Sequence, residues 1–324
     1  MSTFRTIAVL TAGGDAPGMN AAVRSVVRTA LGLGMRAQGV RRAYEGLVRG
    51  NFTDLGARDV GGIIQRGGTV LQTARFPDFA KPEAQQEALR QLGTRGVDAL
   101  VAIGGDGTMR GAAALHRLGF PVVGIPASID NDVFGTDMSI GVDTALNTIV
   151  QAIDKLRDTA ASHQRVFIVE TMGRNCGHLA LMSGIISGAE MTLIPEQEAS
   201  AEEVAEAVRG AYERGKTHAI IVVSEGARLH ANALKEKLDK METGFDSRVT
   251  ILGHVQRGGS PSAWDRLVAA RYGVVAVERL AKGESGVMVG LQAREVIGTG
   301  LSVVAGRKRE TDLEFYRMAR MLAK

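Results

Sequence analysis

Six largely apolar runs without polar alternation set the rhythm of the chain: TIAVL (6–10), DALVAI (98–103), PVVGI (121–125), RVFIVE (165–170), AIIVVS (219–224) and VTIL (249–252). Such runs are the pattern of parallel strands covered on both faces. Weaker strand signals fall at 37–40 and 191–194. Residues 19–31, 81–92, 109–118, 142–161, 176–186, 201–214 and 264–280 read as helices. In the first of these, Val23, Val26, Val27, Ala30 and Leu31 form an apolar stripe at helical spacing. Strands alternating with helices, with glycine-bearing loops at the strand ends, predict a doubly wound α/β architecture. There is no internal repeat and no low-complexity segment.

Composition narrows the function classes. At 324 residues the chain is long for one core and suggests two domains. A net charge of +4, with no Lys/Arg block interleaved with aromatics, argues against nucleic acid. Arginines scattered through loops suit small phosphorylated ligands better. Cys176 is the single cysteine, so neither an intrachain disulfide nor a cysteine-based zinc site is available, and a reducing, cytoplasmic setting is expected. The N-terminus runs into a strand pattern without a signal peptide, and no apolar run reaches the ~18 residues of a membrane span.

Candidate chemistry concentrates in residues 98–132. Two consecutive strands each break into a polar loop, Gly104-Gly105-Asp106-Gly107-Thr108 and Pro126-Ala127-Ser128-Ile129-Asp130-Asn131-Asp132. Ligands of open α/β sheets bind outside the carboxyl ends of the strands, so both loops should face one crevice. Glycines let a backbone approach a polyphosphate. A carboxylate there would repel phosphate unless Mg²⁺ sat between them, which makes Asp106 a metal candidate. Asp130 or Asp132 is then placed to accept the proton of an attacking hydroxyl. The competing reading is an ordinary strand–helix turn with capping residues.

Other features are weaker. Gly13-Gly14 lacks the full dinucleotide fingerprint. Residues 210–217 (GAYERGKT) fit the Walker A pattern in reversed context, closing a helix and leading into a strand, so they are not read as a P-loop. Arg214 and Lys216 either complement a helix dipole or bind an anion. His254 and Arg257 beside Gly258 and Gly259 suit either a phosphate site or a capped loop. Arg24 and Arg28 share one helix flank.

Taken together, the segments LTAGGDAPGMNAAVR (10–24), QRGGT (65–69), ARFP (74–77), IGGDGT (103–108), SIDND (128–132), SHQR (162–165), ETMGRNCG (170–177) and LGHVQRGGSP (252–261) resemble the bacterial-type ATP-dependent 6-phosphofructokinases over nearly the whole chain, in order. GGDGT alone is shared with lipid and NAD kinases. The resemblance implies two Rossmann-like α/β/α sandwich domains: residues 1–138 plus 252–304 for ATP, and 139–251 plus 305–324 for fructose 6-phosphate. It implies transfer of the ATP γ-phosphoryl group to O1 of fructose 6-phosphate, with Gly13, Arg75, Phe76, Gly105, Asp106, Gly107 and Thr108 at ATP and Asp106 on Mg²⁺. Asp130 matches the general base, flanked by Ser128 and Ile129. Arg174 matches the residue that stabilises the moving phosphoryl group, beside Met172 and Gly173. Glu225 matches a sugar-hydroxyl contact. Arg165, Arg248, His254 and Arg257, with Val255 and Gln256 in the same loop, match the 6-phosphate site. Arg165 and Arg248 would come from a neighbouring subunit of a homotetramer. Arg24, Ser25, Arg28, Arg157, Gly188, Ala189, Glu190, Arg214, Lys216, Thr217 and His218 fall on an effector site for ADP and phosphoenolpyruvate.

There are departures from the family pattern. Ser128 replaces the usual Thr, Thr217 stands where a second Lys can occur, and Ala57 occupies a matched effector position that is otherwise basic. Pyrophosphate-dependent relatives tend to carry Asp and Lys where this chain has Gly107 and Ala127, so ATP is expected as the donor. A catalytically silent subunit would require loss of Asp106, Asp130 or Arg174, and all three are present.

Overall fold

The apolar runs fold as parallel strands of two separate sheets in the computed structural model, which describes residues 4–241 and 244–323. In chain order the elements are β1 (Thr6–Ala12), α1 (Met19–Gly32), β2 (Arg36–Val40), α2 (Ala43–Val48), β3 (Phe52–Asp54), α3 (Pro82–Thr94), β4 (Ala99–Gly104), α4 (Asp106–Arg117), β5 (Val122–Pro126), α5 (Val142–His163), β6 (Val166–Thr171), α6 (His178–Ile186), β7 (Met191–Leu193), α7 (Ala201–Glu213), β8 (Ala219–Ser224), α8 (Ala231–Lys240), β9 (Ser247–Ile251), α9 (Ala263–Ala281), β10 (Val287–Gln292), β11 (Glu295–Gly300), α10 (Leu301–Gly306) and α11 (Leu313–Leu322). The chain divides into two units at 144/145, 256/257 and 309/310, against the expected 138/139, 251/252 and 304/305.

Unit 1 comprises the residues up to Thr144 with Arg257–Arg309. Its sheet has the order β11-β10-β5-β4-β1-β2-β3, parallel through its centre with an antiparallel partner at each edge. Every residue of β1, β4 and β5 is buried, as two covered faces require. Successive side chains alternate between the faces. Ala8, Leu10, Leu100, Ala102 and Val122 join α2, α3, α4 and α10 in one core, where Tyr44 stacks on Phe79. Helices α1 and α9 pack together, and Ser25 of α1 donates to the Ala270 carbonyl at 2.7 Å.

Unit 2 comprises Ala145–Gln256 with the chain from Glu310 onward. Its four strands, in the order β7-β8-β6-β9, are all parallel. Val166, Ile168, Ile221 and Val223 meet Val204, Val208, Leu234 and Leu238 of α7 and α8. Helix α7 starts at a capping box in which the Glu203 amide donates to the Ser200 hydroxyl and the Ser200 amide to the Glu203 carboxylate. It ends at Gly215, whose φ is +88°, with the Lys216 amide donating back to Ala211. The Walker-like stretch 210–217 is therefore a helix terminus, as its context predicts.

Hydrophobic rhythm alone does not reveal α2, β3, α8, the β10–β11 hairpin, α10 or α11. Three of these, α2, β3 and α10, have six residues or fewer, and α11 has no fully buried residue. Helix α4 starts at Asp106, earlier than expected, so the acid belongs to its first turn, where a negative charge complements the helix dipole.

One buried carboxylate fixes the segment after β5. Asp265, at the start of α9, accepts from the Gly141 amide at 2.9 Å and from the Thr144 amide and hydroxyl at 2.8 and 2.5 Å. Burial pushes its carboxyl above the ordinary value of 3.8, against the opposing pull of those donors. The cost of ionising it is absent below that value and grows as pH rises from there. Asp265→Ala leaves three donors without their acceptor and should lower the thermal midpoint by about 4–8 °C. Asp265→Asn, which keeps one acceptor oxygen, should lower it less. Scanning calorimetry of both variants checks this, and an unchanged midpoint would mean the segment is held without Asp265.

Candidate active site

Three loops at the carboxyl ends of β1, β4 and β5 converge in unit 1. Strands β4 and β5 are paired in parallel with Gly104 opposite Pro126, and the Ala127 amide donates to the Gly104 carbonyl at 3.0 Å. The glycine loop and the acidic turn thereby leave the sheet side by side. A Cβ built on Gly105 would lie 3.7 Å from the Ser128 Cβ, and one built on Gly13 would lie 3.6 Å from the Thr108 hydroxyl. Thr73 donates to the Gly13 carbonyl at 2.8 Å, which ties the stretch bearing Arg75 and Phe76 to the same place. Arg75 is exposed, and Phe76 packs on the core. The guanidinium of Arg257 lies over Gly14 so closely that any side chain there would displace it. Tyr44 reaches under the loop from α2 and donates to the Thr108 carbonyl at 2.7 Å.

The acidic turn is held by a set of hydrogen bonds. Asn131 is buried at φ +54°, a conformation Asn tolerates better than most residues. Its side chain accepts from the Ser139 amide at 2.9 Å and donates to the Asp137 carbonyl at 3.1 Å. Tyr272 donates to the Met138 carbonyl at 2.7 Å, and its oxygen lies 3.0 Å from the Thr136 hydroxyl. Arg309 donates to the Thr136 and Asp137 carbonyls at 3.1 and 2.6 Å, and its amide donates to the Asp132 carbonyl. The Ser128 hydroxyl donates to Asp132 at 2.7 Å. Ile129 is buried and Asp130 half-buried. None of Tyr272, Thr136 and Arg309 carries a sequence motif, which is why sequence reasoning passes over them.

The carboxylate chemistry fits a divalent ion shared with a ligand. Among the described residues, no three His, Cys, Asp or Glu side chains gather into a metal cage. Asp106 is in the first turn of α4, beside glycines that leave the backbone open. Mg²⁺ is commonly bound this way, by one or two carboxylates plus phosphate oxygens.

Unit 2 brings Met172, Gly173, Arg174 and Glu225 together at the carboxyl ends of β6 and β8, whereas Arg165 and Arg248 lie at the opposite end of the same parallel sheet. The Ser224 hydroxyl donates to the Gly173 carbonyl at 2.6 Å, and the Glu225 amide to the Thr171 carbonyl at 2.8 Å. Gly226 has no room for a Cβ because the Arg174 carbonyl fills that space. The loops bearing Arg174 and Glu225 are thus in contact, with the Arg174 side chain exposed and Met172 and Gly173 buried. Gln256 is fully buried and accepts from the Met172 amide at 3.2 Å, so it positions the loop, while His254 and Val255 face outward. Arg165, just before β6, and Arg248, in the neighbouring β9, both pair with Asp246 at 2.9 Å. Asp246 escaped sequence reasoning because it lies outside the recognised segments.

The residues expected at an effector site divide between the units. In unit 1, Arg24 is half-buried and Ser25 is turned into the α1–α9 interface, while Arg28 donates to the carbonyl of Ala57 at 3.0 Å. In unit 2, Arg157 donates to the Ser187 carbonyl, just before Gly188 and Ala189. Its Nη1 lies 3.5 Å from His218, which follows Thr217. Buried Glu190 accepts from Lys216 at 2.8 Å and from the Ile220 amide at 2.6 Å. Ala189, Glu190 and Arg214 border a cavity of about 540 Å³ between α7 and α11.

A family model described as Phosphofructokinase matches residues 6–280. The chain is 49% identical over 320 residues to the ATP-dependent 6-phosphofructokinase of Clostridioides difficile, covering 99% of this chain and 100% of that protein. It is similar to the solved phosphofructokinase of Saccharomyces cerevisiae, with a TM-score of 0.87 and 39% identity over 93% of this chain and 45% of that one. A pyrophosphate-dependent phosphofructokinase from Marinobacter aquaeolei has the same fold at 20% identity, with a TM-score of 0.86 over 96% of this chain and 86% of that one.

The cations around His218 give a pH signature. Burial first, then the nearby Arg157 and Lys216 charges, push its imidazole below the ordinary 6.5, against the pull of Glu190. An anion bound beside it would stabilise the protonated ring, so binding takes up a proton and strengthens as pH falls. Calorimetric titration with sulfate, which does not itself titrate in this range, should show affinity rising about three- to tenfold from pH 7.5 to 5.5. His218→Gln should flatten that dependence.

Proposed function

The chain belongs to the phosphofructokinase family, and from that membership we propose how its residues divide the work of the reaction. It is an ATP-dependent 6-phosphofructokinase, transferring the γ-phosphoryl group of ATP to O1 of fructose 6-phosphate and yielding fructose 1,6-bisphosphate and ADP. Such transfers require charge neutralisation and positioning more than covalent chemistry.

Asp130 removes the proton from the sugar O1 as that oxygen attacks. The hydrogen bond from Ser128 to Asp132 supports this choice, because Asp132 already accepts a hydroxyl. Asp106 holds Mg²⁺, which when bound would neutralise phosphate charge. Gly13, Arg75, Phe76 and the loop Gly105–Thr108 receive the nucleotide. Arg174 offsets charge on the moving phosphoryl group, and Glu225 takes a sugar hydroxyl. Arg165, Arg248, His254 and Arg257 take the 6-phosphate, where guanidiniums offer two parallel hydrogen bonds. Unit 1 serves as the nucleotide domain and unit 2 carries most of the sugar-phosphate residues. The enzyme works as a homotetramer regulated by ADP and phosphoenolpyruvate through Arg24, Arg28, Arg157, Arg214, Lys216 and His218. No helix among the described residues is long and apolar enough to cross a membrane.

The observation that carries this reading is the bond from the Ala127 amide to the Gly104 carbonyl, which sets the metal-bearing loop beside the turn of the base. Fructose 1,6-bisphosphate should form with ATP and not with pyrophosphate, since glycine at 107 leaves room for a nucleotide. Turnover with pyrophosphate alone would reject the donor. Asp130→Asn should lower kcat at least ~10²-fold with little change in KM, as expected for loss of a general base. Near-normal kcat would remove Asp130 from that role.

A further inference from the structure

Asp106 does not stand as a bare anion at the phosphate loop. Arg110, one turn further along α4, forms an ion pair with it. The spacing of four residues puts both on one helix face, and a helical side chain leans toward the N-terminus. The guanidinium therefore lies forward, over Gly107: its Nη2 would be 3.7 Å from a Cβ built there. That is the ground the proposed function gives to nucleotide phosphates. Arg110 lies two residues beyond the segment IGGDGT (103–108) and belongs to no motif.

We propose that Arg110 is a positioning residue for the nucleotide. It neutralises Asp106 in the free enzyme and passes to the nucleotide's phosphate oxygens when a divalent ion takes that carboxylate. The inference rests on the reading of Asp106 as the metal ligand. Its physical basis is the weakness of the pair. The Arg110 side chain is 58% exposed, and an exposed i,i+4 pair shifts an equilibrium by only about twofold. A divalent ion can take the carboxylate at small cost. The released guanidinium has a planar fork suited to phosphate, and charge-assisted hydrogen bonds of this type are stronger than neutral ones. Without the arginine, an empty site would hold a lone carboxylate repelling the incoming triphosphate. With it, the pair carries no net negative charge before the ion arrives, and the guanidinium is free for phosphate afterwards.

A double-mutant cycle on ADP binding tests the exchange by calorimetry, with EDTA or with saturating Mn²⁺, using wild type, D106N, R110Q and D106N/R110Q. Arg110→Gln should weaken ADP about fivefold in both conditions. Asp106→Asn should abolish the strengthening by Mn²⁺. It should also tighten metal-free ADP about fivefold, because Arg110 is then free for phosphate. In the double variant that gain should vanish. If the gain persists without Arg110, it reflects lost repulsion alone and the exchange is overturned, with Asp106 still the metal ligand. Unchanged ADP affinity in R110Q would overturn it likewise. If D106N keeps the Mn²⁺ effect, the metal assignment falls and the exchange falls with it.

Discussion

The pairing of β4 with β5 is the constraint on which the site depends. Because the strands are parallel and in register, with Gly104 opposite Pro126, their loops leave the sheet at the same height. One loop carries Asp106 and the other carries Asp130 and Asp132. A triphosphate and a sugar phosphate brought to the same place would add further negative charge. Such a site works only if it supplies cations and fixed donors in advance, since dipoles already in place need no reorganisation during the reaction. The parallel α/β fold provides glycine loops and helix N-termini at that edge.

Rigidity in the acidic turn comes from hydrogen bonds, most of them to backbone groups. Asn131, Thr136 and Tyr272 hold the turn through backbone groups, and Arg309 and Asp265 clasp the segment behind it. The exposed arginines of unit 2 follow a different scheme. Arg165 and Arg248 are kept together by Asp246, and mutual repulsion would otherwise drive two such side chains apart. Lys216 is likewise held by buried Glu190. In each case a carboxylate fixes cations in position at the cost of some of their charge.

Much of the fold was legible because buried parallel strands are nearly continuous apolar runs. β1, β4, β5, β6 and β8 all fall where that pattern places them. Elements whose stability comes from tertiary packing were not legible. The β10–β11 hairpin sits at a sheet edge, and α11 has no fully buried side chain to mark its inner face. Glycine loops with an acid could be read as phosphate chemistry, and the reversed order of strand and helix excluded the Walker-like stretch. Residues that act through distant partners leave no local trace. Asp265 lies 121 positions from Thr144, and Arg309 lies 172 from Asp137. Ser25 shows the reverse case: the resemblance puts it at an effector site, yet its hydroxyl is bonded to Ala270 inside the unit.

The proposed roles of Asp106 and Asp130 require that both serve one metal–nucleotide–sugar arrangement. The most direct measurement is paramagnetic relaxation of carbon-1 of ¹³C-labelled fructose 6-phosphate by Mn²⁺ in the ternary complex with ADP. Metal–oxygen, phosphate and near-attack spacings put that carbon within about 7 Å of the ion. A distance beyond about 12 Å, well outside what those spacings span, would contradict the account.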